Sequence, residues 1–94
     1  MGLAGGIKDL PDFQNNLEVQ DAAKFAVDEH NRKHNAGLVY SKVVQARTQV
    51  VAGSMLHLTV EALHEQEPKL YHAKVWTKKW ENHKSLEEFK PVNE

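Results

Sequence analysis

The stretch NLEVQDAAKFAVDEHNRKH, residues 16–34, decides the fold of this chain. Apolar side chains recur in it at spacings of three and four residues, with charged and amide side chains between them, which predicts one amphipathic helix of about 18 residues. Asn15 or Asn16 is suited to cap its first turn. Gly37, which follows a run of basic residues, is predicted to end the helix in the left-handed conformation. Such a helix spans roughly 27 Å, enough to cross a small sheet.

The period of the apolar positions changes to two after Gly37, which predicts half-buried antiparallel strands. Four are expected, at residues 38–51, 55–62, 70–78 and 86–89, joined by connections short enough for hairpins. The positions expected to face the helix are Leu56, Leu58, Val60 and Ala62 in the second strand and Tyr71, Ala73, Val75 and Thr77 in the third. The sequence therefore predicts an α+β fold, in which a single α-helix packs across a twisted antiparallel β-sheet.

The composition is that of an ordinary globular protein. The chain has 94 residues, of which 40% are apolar and 27% charged, and its formal net charge is -1. This length fits one domain, residues 1–94, and its glycine-rich start, residues 1–11, is expected to be a flexible arm without core contacts. Near-neutral charge gives no reason to expect nucleic acid as a partner. The local excess of Lys74, Lys78, Lys79 and Lys84 is attributed to a solvated sheet face.

Neither a membrane anchor nor a compartment signal is visible in the sequence, so no membrane partner is expected. The amino terminus lacks a long apolar run and a myristoylation signal. A secretory peptide removed during processing would leave the same sequence, so a cytoplasmic and a secreted location both stay open. Because the chain has no cysteine, disulfides, a thiolate nucleophile and a zinc–thiolate site are excluded.

No catalytic constellation emerges from the remaining polar residues. His30 and His34 lie one helical turn apart, a spacing that can hold a metal, but the glutamate that follows the first histidine in zinc proteases is absent. The serines lack the context of a nucleophile elbow, and the carboxylates are typical of solvated faces. We therefore expect no enzyme activity, no cofactor and no metal site. A hydrolase or metal enzyme is the disfavoured hypothesis.

The first predicted hairpin carries an unusual tip, Gln49-Val50-Val51-Ala52-Gly53. Turns favour Gly, Asn, Asp, Pro and Ser, so two β-branched apolar residues near a bend are a local conflict. Such conflicts are expected at functional sites, since two exposed valines would each gain about 1.5–3 kcal/mol when buried against a partner. The alternative interpretation is that the strand simply runs to Val51 and turns late.

Trp80 lies in the third connection, between Lys79 and Glu81, where a large aromatic side chain has little core to enter. It is a candidate interface anchor, and the alternative is that it folds back over the sheet edge. Consecutive hairpins alternate between the two ends of a sheet, so the first and third connections must share one end. This argument brings Trp80 beside residues 49–53 but does not place the amino-terminal arm. Trp76 is interpreted as a sheet-face residue packed beneath lysine stems.

Three motifs resemble those of a known family, the plant cystatins (phytocystatins). AAKFAVDEHN, residues 22–31, resembles the helix signature of the family. Residues 49–53 match the first-loop motif of cystatins in general, and Gly5-Gly6 matches their amino-terminal glycine pair. The motifs follow in the order of the family and span almost the whole chain. The resemblance implies the cystatin fold, with a sheet of four to five strands in which the arm adds a short first strand before the helix.

The resemblance also implies a function, which is reversible, competitive, tight-binding inhibition of papain-like cysteine proteases such as papain and the cathepsins. A wedge would occlude the active-site cleft, and the resemblance assigns to it Gly5, Gly6, Gln49, Val50, Val51, Ala52, Gly53 and Trp80, with Leu3, Ala4 and Lys79 as secondary contacts. The segment before the glycine pair would occupy substrate-like subsites, while the pair turns the backbone away from the catalytic cysteine. A monomer is expected, with a domain-swapped dimer, formed by opening of the first loop, as a second form.

The sequence departs from the family pattern at two positions. Ala22 stands where the helix signature usually has Leu, Val or Ile, which should loosen the core slightly, and Lys79 stands where the second loop usually has Pro before Trp. Proline restricts its own backbone and that of its predecessor, so Lys79 bears on the rigidity of the Trp80 loop. The alternative function is therefore a protein-interaction or ligand-binding module on the same scaffold, without inhibitory activity.

Overall fold

Residues 6–92 are described by the structure, a computed structural model of the chain. The elements are β1 (Ile7–Asp9), α1 (Leu17–His34), β2 (Val39–Val51), β3 (Gly53–His64), β4 (Glu67–Lys78) and β5 (His83–Pro91). The strands form one antiparallel sheet in the order β1-β2-β3-β4-β5, and α1 packs on it. The α+β fold predicted from the sequence is thereby confirmed, together with the fifth strand that the family resemblance implies.

The helix begins where the sequence supplies both a cap and an apolar face. The side-chain oxygen of Asn16 accepts a hydrogen bond from the backbone N–H of Val19 at 3.2 Å, which satisfies a donor that has no partner inside the helix. The buried face of α1 consists of Val19, Ala22, Ala23, Ala26 and Val27, none more than 1% exposed. Because most of these side chains are small, the helix lies close to the strands.

The helix ends at Asn35, and the prediction that Gly37 stops it is wrong. Asn35 has the left-handed conformation, with φ 52° and ψ 36°, and its N–H donates to the carbonyl of Asn31. The Asn31 side chain then joins the helix to the following chain, since it donates to the Leu38 carbonyl at 2.8 Å and accepts from the Leu38 N–H at 3.0 Å. Asparagine tolerates the left-handed region better than most residues, so the helix stops before the glycine is reached.

An apolar layer lies between α1 and the sheet. The positions expected to face the helix are all buried, at 7% exposure or less, namely Leu56, Leu58, Val60, Ala62, Tyr71, Ala73, Val75 and Thr77. Each fully buried valine or leucine stabilises the fold by about 1.5–3 kcal/mol. A slip of one residue would turn these side chains to solvent, so their burial specifies the register of β3 and β4.

The last strand is longer than predicted, and an irregularity explains its weak pattern. β5 spans His83–Pro91 rather than residues 86–89. Its ladder with β4 has a register shift that leaves Glu87 as an extra residue. This bulge lets Leu86 and Phe89, which are three positions apart, both pack against the core. A strict period of two therefore fails in this strand although the strand is regular on either side.

The start of the chain is less free than predicted. Ile7–Asp9 form β1, which pairs with β2. Leu10 packs against the core, and its N–H donates to the carbonyl of Ala46 at 3.0 Å. The expectation of an arm without core contacts over residues 1–11 is therefore wrong at Leu10, while Ile7–Asp9 are held by backbone pairing with β2 and not by the core. All the side chains of β1 are exposed, so this strand leaves no apolar alternation in the sequence.

We expect Gly37→Ala to leave the free energy of unfolding unchanged or to raise it by up to about 1 kcal/mol. A Cβ at this position meets nothing within 4 Å, and the residue does not have a positive φ. Asn35→Ala is the matched control, and it should destabilise the protein by about 1 kcal/mol because alanine enters the left-handed region at a cost. Urea unfolding measures both variants. Equal losses of stability in the two variants would mean that Gly37, and not Asn35 alone, is needed to end the helix.

Candidate functional site

The first hairpin is an extension of the sheet. β2 continues to Val51, Ala52 alone forms the bend, and β3 begins at Gly53. Val50 pairs with Ser54 and Val51 with Gly53, so both valines occupy strand positions that suit β-branched residues. The interpretation that the strand runs to Val51 and turns late is therefore correct, and the expected conflict at the valines is absent. Their side chains are nonetheless exposed, Val50 at 65% and Val51 at 38%.

Gly53 is the residue that this hairpin requires. Its φ is 101°, a conformation that residues with a Cβ rarely adopt. A Cβ at this position would overlap the carbonyl oxygen of Thr77 and would lie 2.9 Å from Cγ of Lys78. Both the backbone conformation and the close approach of β4 therefore exclude a side chain. The hairpin tip rests against the end of β4.

The second loop is a short 3-10 turn, Lys79–Glu81, between β4 and β5. Trp80 at its centre is 66% exposed, so the interpretation that this side chain folds back over the sheet edge is wrong. Lys78 Nζ lies 3.4 Å from Glu81 Oε1 across the turn. The turn ends at Asn82, whose backbone is left-handed with φ 55°. A closed backbone turn therefore presents Trp80 to solvent.

The register of the sheet brings both loops and the start of the chain to one end. Ser54 pairs with Thr77, so the first hairpin and the second loop are neighbours, as the alternation of hairpins predicts. Ile7 pairs with Gln49, which sets Gly6 beside the same hairpin. The alternation of hairpins could not place the start of the chain, and this pairing places Gly6 and Ile7 at the same end of the sheet. The candidate residues Leu3, Ala4 and Gly5 lie outside the described residues.

We term Gly6, Ile7, residues 49–53 and Trp80 the loop edge. Its large apolar side chains are exposed, at 48% for Ile7, 65% for Val50, 38% for Val51 and 66% for Trp80. They make up half of the large apolar side chains that are exposed within residues 6–92. Exposed apolar surface is thus concentrated at one end of the sheet, which is typical of a surface that another protein covers.

Two side chains on the outer face of the sheet support the first hairpin, and sequence reasoning identified neither in this role. The indole Nε1–H of Trp76 donates to the carbonyl of Ala52 at 2.8 Å. His57 Nε2 lies 3.0 Å from Gln49 Oε1. Lys78 Nζ lies 4.4 Å from the centroid of the Trp76 ring, in agreement with packing beneath a lysine. The available signal was a large aromatic residue at an outward strand position, but its partner depends on the register.

The surroundings of His57 favour its neutral form. Burial, followed by the charges of Lys74 and Arg47, lowers the pKa of His57 below its ordinary value of 6.5, against an opposing effect of Glu88. Because the side-chain oxygen of Gln49 can only accept, the imidazole proton lies on Nε2 and is donated to that oxygen. A neutral histidine therefore orients the first residue of the hairpin motif.

The two departures from the family pattern border the same cavity. Ala22 is 1% exposed and lines, with Lys79, an opening of about 230 Å³ between α1 and the second loop. Lys79 Nζ lies 3.6 Å from Glu18 Oε1, and Lys84 Nζ lies 3.2 Å from Asp21 Oδ2. In this chain two solvent-accessible ion pairs therefore connect the helix with the second loop and the start of β5. Pairs of this kind typically contribute under about 1 kcal/mol.

The two helix histidines belong to a packing cluster. His30 stacks on Phe89 with ring centroids 4.3 Å apart, and its ring lies 4.7 Å from that of His34. Burial and, to a smaller extent, His34 lower the pKa of His30. Within residues 6–92, no group of three or more His, Asp or Glu side chains is arranged to hold a metal ion. In the same range, no helix is both long and apolar enough to cross a membrane.

The chain is similar in sequence to named proteinase inhibitors of plants. Residues 7–92 match the protein family described as aspartic acid proteinase inhibitor. Cystatin-1 of Zea mays is 59% identical over 92 residues, which cover 98% of this chain and 68% of that protein. Cysteine proteinase inhibitor A of Helianthus annuus is 56% identical over 77 residues, which cover 82% of this chain and 94% of that protein.

The fold is similar to that of solved cystatin structures. The salivary cystatin of the soft tick Ornithodoros moubata has a TM-score of 0.81 at 20% identity, over 97% of this chain and 100% of the other. Dimeric human cystatin F has a TM-score of 0.77 at 20% identity, over 95% of this chain and 87% of the other. At such identities the likeness concerns the fold alone.

We expect Gly53→Ala to lower the free energy of unfolding by about 2 kcal/mol or more, because the new Cβ needs both a disfavoured φ and a displaced β4. Gly37→Ala introduces the same methyl group where there is open space, so it serves as the control. Urea unfolding compares the two. If the variants were equally stable, the close approach between the hairpin and β4 would be refuted.

Lys79→Pro is expected to raise the free energy of unfolding by about 0.4–1 kcal/mol. Lys79 opens the 3-10 turn, where the fixed φ of proline fits, and Lys78 already has the extended conformation, φ -129° and ψ 100°, that proline imposes on its predecessor. Lys79→Ala is the control, since it removes the ion pair with Glu18 without restricting the backbone. A proline variant less stable than the alanine variant would mean that the turn does not accept proline.

Proposed function

The chain belongs to the plant cystatins, a family of cysteine proteinase inhibitors, and from this premise we propose that it inhibits papain-like cysteine proteases. The loop edge enters the active-site cleft and blocks access of the substrate. Binding is reversible, noncovalent and competitive. The observation that carries the proposal is the alignment of Gly6, the first hairpin and Trp80 at one end of the sheet, with their exposed apolar side chains.

The chemistry of the loop edge suits insertion into a narrow cleft. Full burial of Val50 or Val51 gains about 1.5–3 kcal/mol each, and the larger Trp80 side chain buries more area. None of these side chains carries a charge that must lose its hydration. The hairpin is already paired within the sheet, so few residues lose freedom when it binds. These terms support tight binding by a small surface.

Each part of the wedge has a separate role in this proposal. Residues 49–53 fill the centre of the cleft, while Trp80, with Lys79 beside it as a secondary contact, anchors one side. Residues 3–6 lie on the other side, where the apolar pair Leu3-Ala4 occupies substrate-like subsites. The glycine pair turns the backbone away from the catalytic cysteine, so no peptide bond is presented for cleavage. The role of this segment rests on the family resemblance.

The family description raises a second candidate activity, inhibition of aspartic proteases. The individual relatives at 59% and 56% identity are named a cystatin and a cysteine proteinase inhibitor. Residues 49–53 also match the first-loop motif of cystatins, so the residue-level likeness favours cysteine proteases. An aspartic protease therefore belongs in the assay as the discriminating comparison. A binding module without inhibitory activity is the remaining alternative.

A titration tests the proposal. Gel-filtered monomer is added to papain of known active-site concentration, and hydrolysis of a fluorogenic substrate is followed at several substrate concentrations. We expect tight, reversible inhibition whose apparent Ki rises linearly with substrate concentration. Pepsin is assayed in parallel at a pH where circular dichroism shows the inhibitor folded, and no effect is expected. Inhibition of pepsin alone would favour the aspartic activity, and inhibition of neither would favour the non-inhibitory module.

Val50→Asp should raise the Ki for papain at least about a hundredfold, because a carboxylate would have to lose its hydration in an apolar cleft. Val39→Asp is the matched control at the opposite end of β2, where the valine is 58% exposed against 65% for Val50. This control should inhibit like the wild type. Wild-type potency in Val50→Asp, or an equal loss in both folded variants, would remove the first hairpin from the binding surface.

A further inference from the structure

We propose that Trp76 is a positioning residue that holds the first hairpin and the second loop in a fixed relation. Its indole is not part of the loop edge and is not assigned to contact a protease. It contacts a backbone atom of the first hairpin on one side and, on the other, side chains that flank the second loop. The inference rests on the proposed inhibitory function, since it concerns how the inhibitory surface is kept ready for binding.

The indole is directed at the bend of the first hairpin. Trp76 pairs with Met55 in β3, and its neighbours Val75 and Thr77 are buried beneath α1, so Trp76 lies on the opposite face of the sheet. Its Nε1–H donates to the Ala52 carbonyl at 2.8 Å, across 24 residues of sequence. Because Ala52 is the single residue between β2 and β3, this hydrogen bond holds the bend itself.

The remaining contacts of the indole lead to the second loop. Lys78 Nζ lies 4.4 Å from the centroid of the Trp76 ring, and the same Nζ lies 3.4 Å from Glu81 Oε1. The ring of His83 meets the indole edge-on, with centroids 5.6 Å apart. Lys78 precedes Trp80 in the chain and the other two residues follow it, so these contacts bracket the exposed tryptophan. One side chain therefore bridges both hairpins that carry the loop edge.

The consequence concerns the entropy of binding. Ala52 and Gly53 at the bend have almost no side chain with which to hold a conformation. A hairpin tip that moves in the free protein must be ordered in the complex, and that ordering lowers the affinity. By donating a hydrogen bond to the Ala52 carbonyl, Trp76 orders the hairpin tip before a protease binds. The ammonium group of Lys78, which lies over the indole face, extends the same support to the start of the second loop.

Trp76→Phe tests this role, because it keeps an aromatic ring on the sheet face but removes the N–H donor. Tyr40→Phe is the matched control, since it removes the hydrogen bond from Tyr40 Oη to Gln20 Oε1, at 2.9 Å, near the opposite end of β2. We expect Trp76→Phe to raise the Ki for papain about tenfold and Tyr40→Phe to leave it unchanged. Urea unfolding measures the loss of stability in both variants. Equal losses exclude general destabilisation as the cause of a higher Ki in Trp76→Phe.

Amide hydrogen exchange supplies a measurement that does not depend on inhibition. Exchange at residues 51–54 should be about tenfold faster in Trp76→Phe than in the wild type and unchanged in Tyr40→Phe. Unchanged exchange, or faster exchange without any change in the Ki of an active inhibitor, overturns the proposal. If the wild-type chain inhibits no papain-like protease, the proposed function fails, while the exchange rates still decide whether Trp76 holds the hairpin.

Discussion

The close approach of Gly53 to the carbonyl of Thr77 is the contact on which the arrangement of the loop edge depends. A hairpin tip commonly extends into solvent and moves independently of its neighbours. Here the absence of a Cβ lets the start of β3 lie against the end of β4, so the β3–β4 ladder continues to the pair formed by Ser54 and Thr77. The second loop begins two residues after Thr77, at Lys79. The hydrogen bond from Trp76 to Ala52 acts on the same bend from the outer face.

The helix contributes to the loop edge through the core beneath it. Burial of alternating positions in β3 and β4 sets the register of the central strands, and that register carries both loops to one end. The first turn of α1 also lies under the second loop, where Glu18 faces Lys79. The exposed apolar residues are therefore displayed by a rigid base, and their own segments remain short. This is the arrangement in which a binding surface needs least reordering.

Periodicity predicted the helix and the long strands because it reports burial, and these elements bury one face along their whole length. It did not predict β1, whose side chains are all exposed, or the full length of β5, where the bulge at Glu87 breaks the alternation. The helix ends at Asn35 and not at the predicted Gly37, because asparagine as well as glycine can adopt the left-handed conformation and Asn35 comes first in the chain. Alternation of hairpins placed Trp80 beside the first hairpin without any knowledge of register. The contact between Trp76 and Ala52 needs that register, so it could not be derived from the sequence.

Lys79 is the sequence feature that favours a scaffold without inhibitory activity. Its importance depends on how the free energy that proline would add compares with that of burying the valines of the first hairpin. Without proline, Lys78 already has φ -129° and ψ 100°, and the turn still closes and exposes Trp80. The shape that proline would impose is therefore present, and what is missing is rigidity, which is worth about 0.4–1 kcal/mol. This amount is stability of folding, and even if all of it were lost from binding the affinity would fall by a factor of only roughly two to five. Burial of Val50 and Val51 alone would contribute about 3–6 kcal/mol. The departure at Lys79 therefore tunes the proposed inhibitor and does not argue against inhibition.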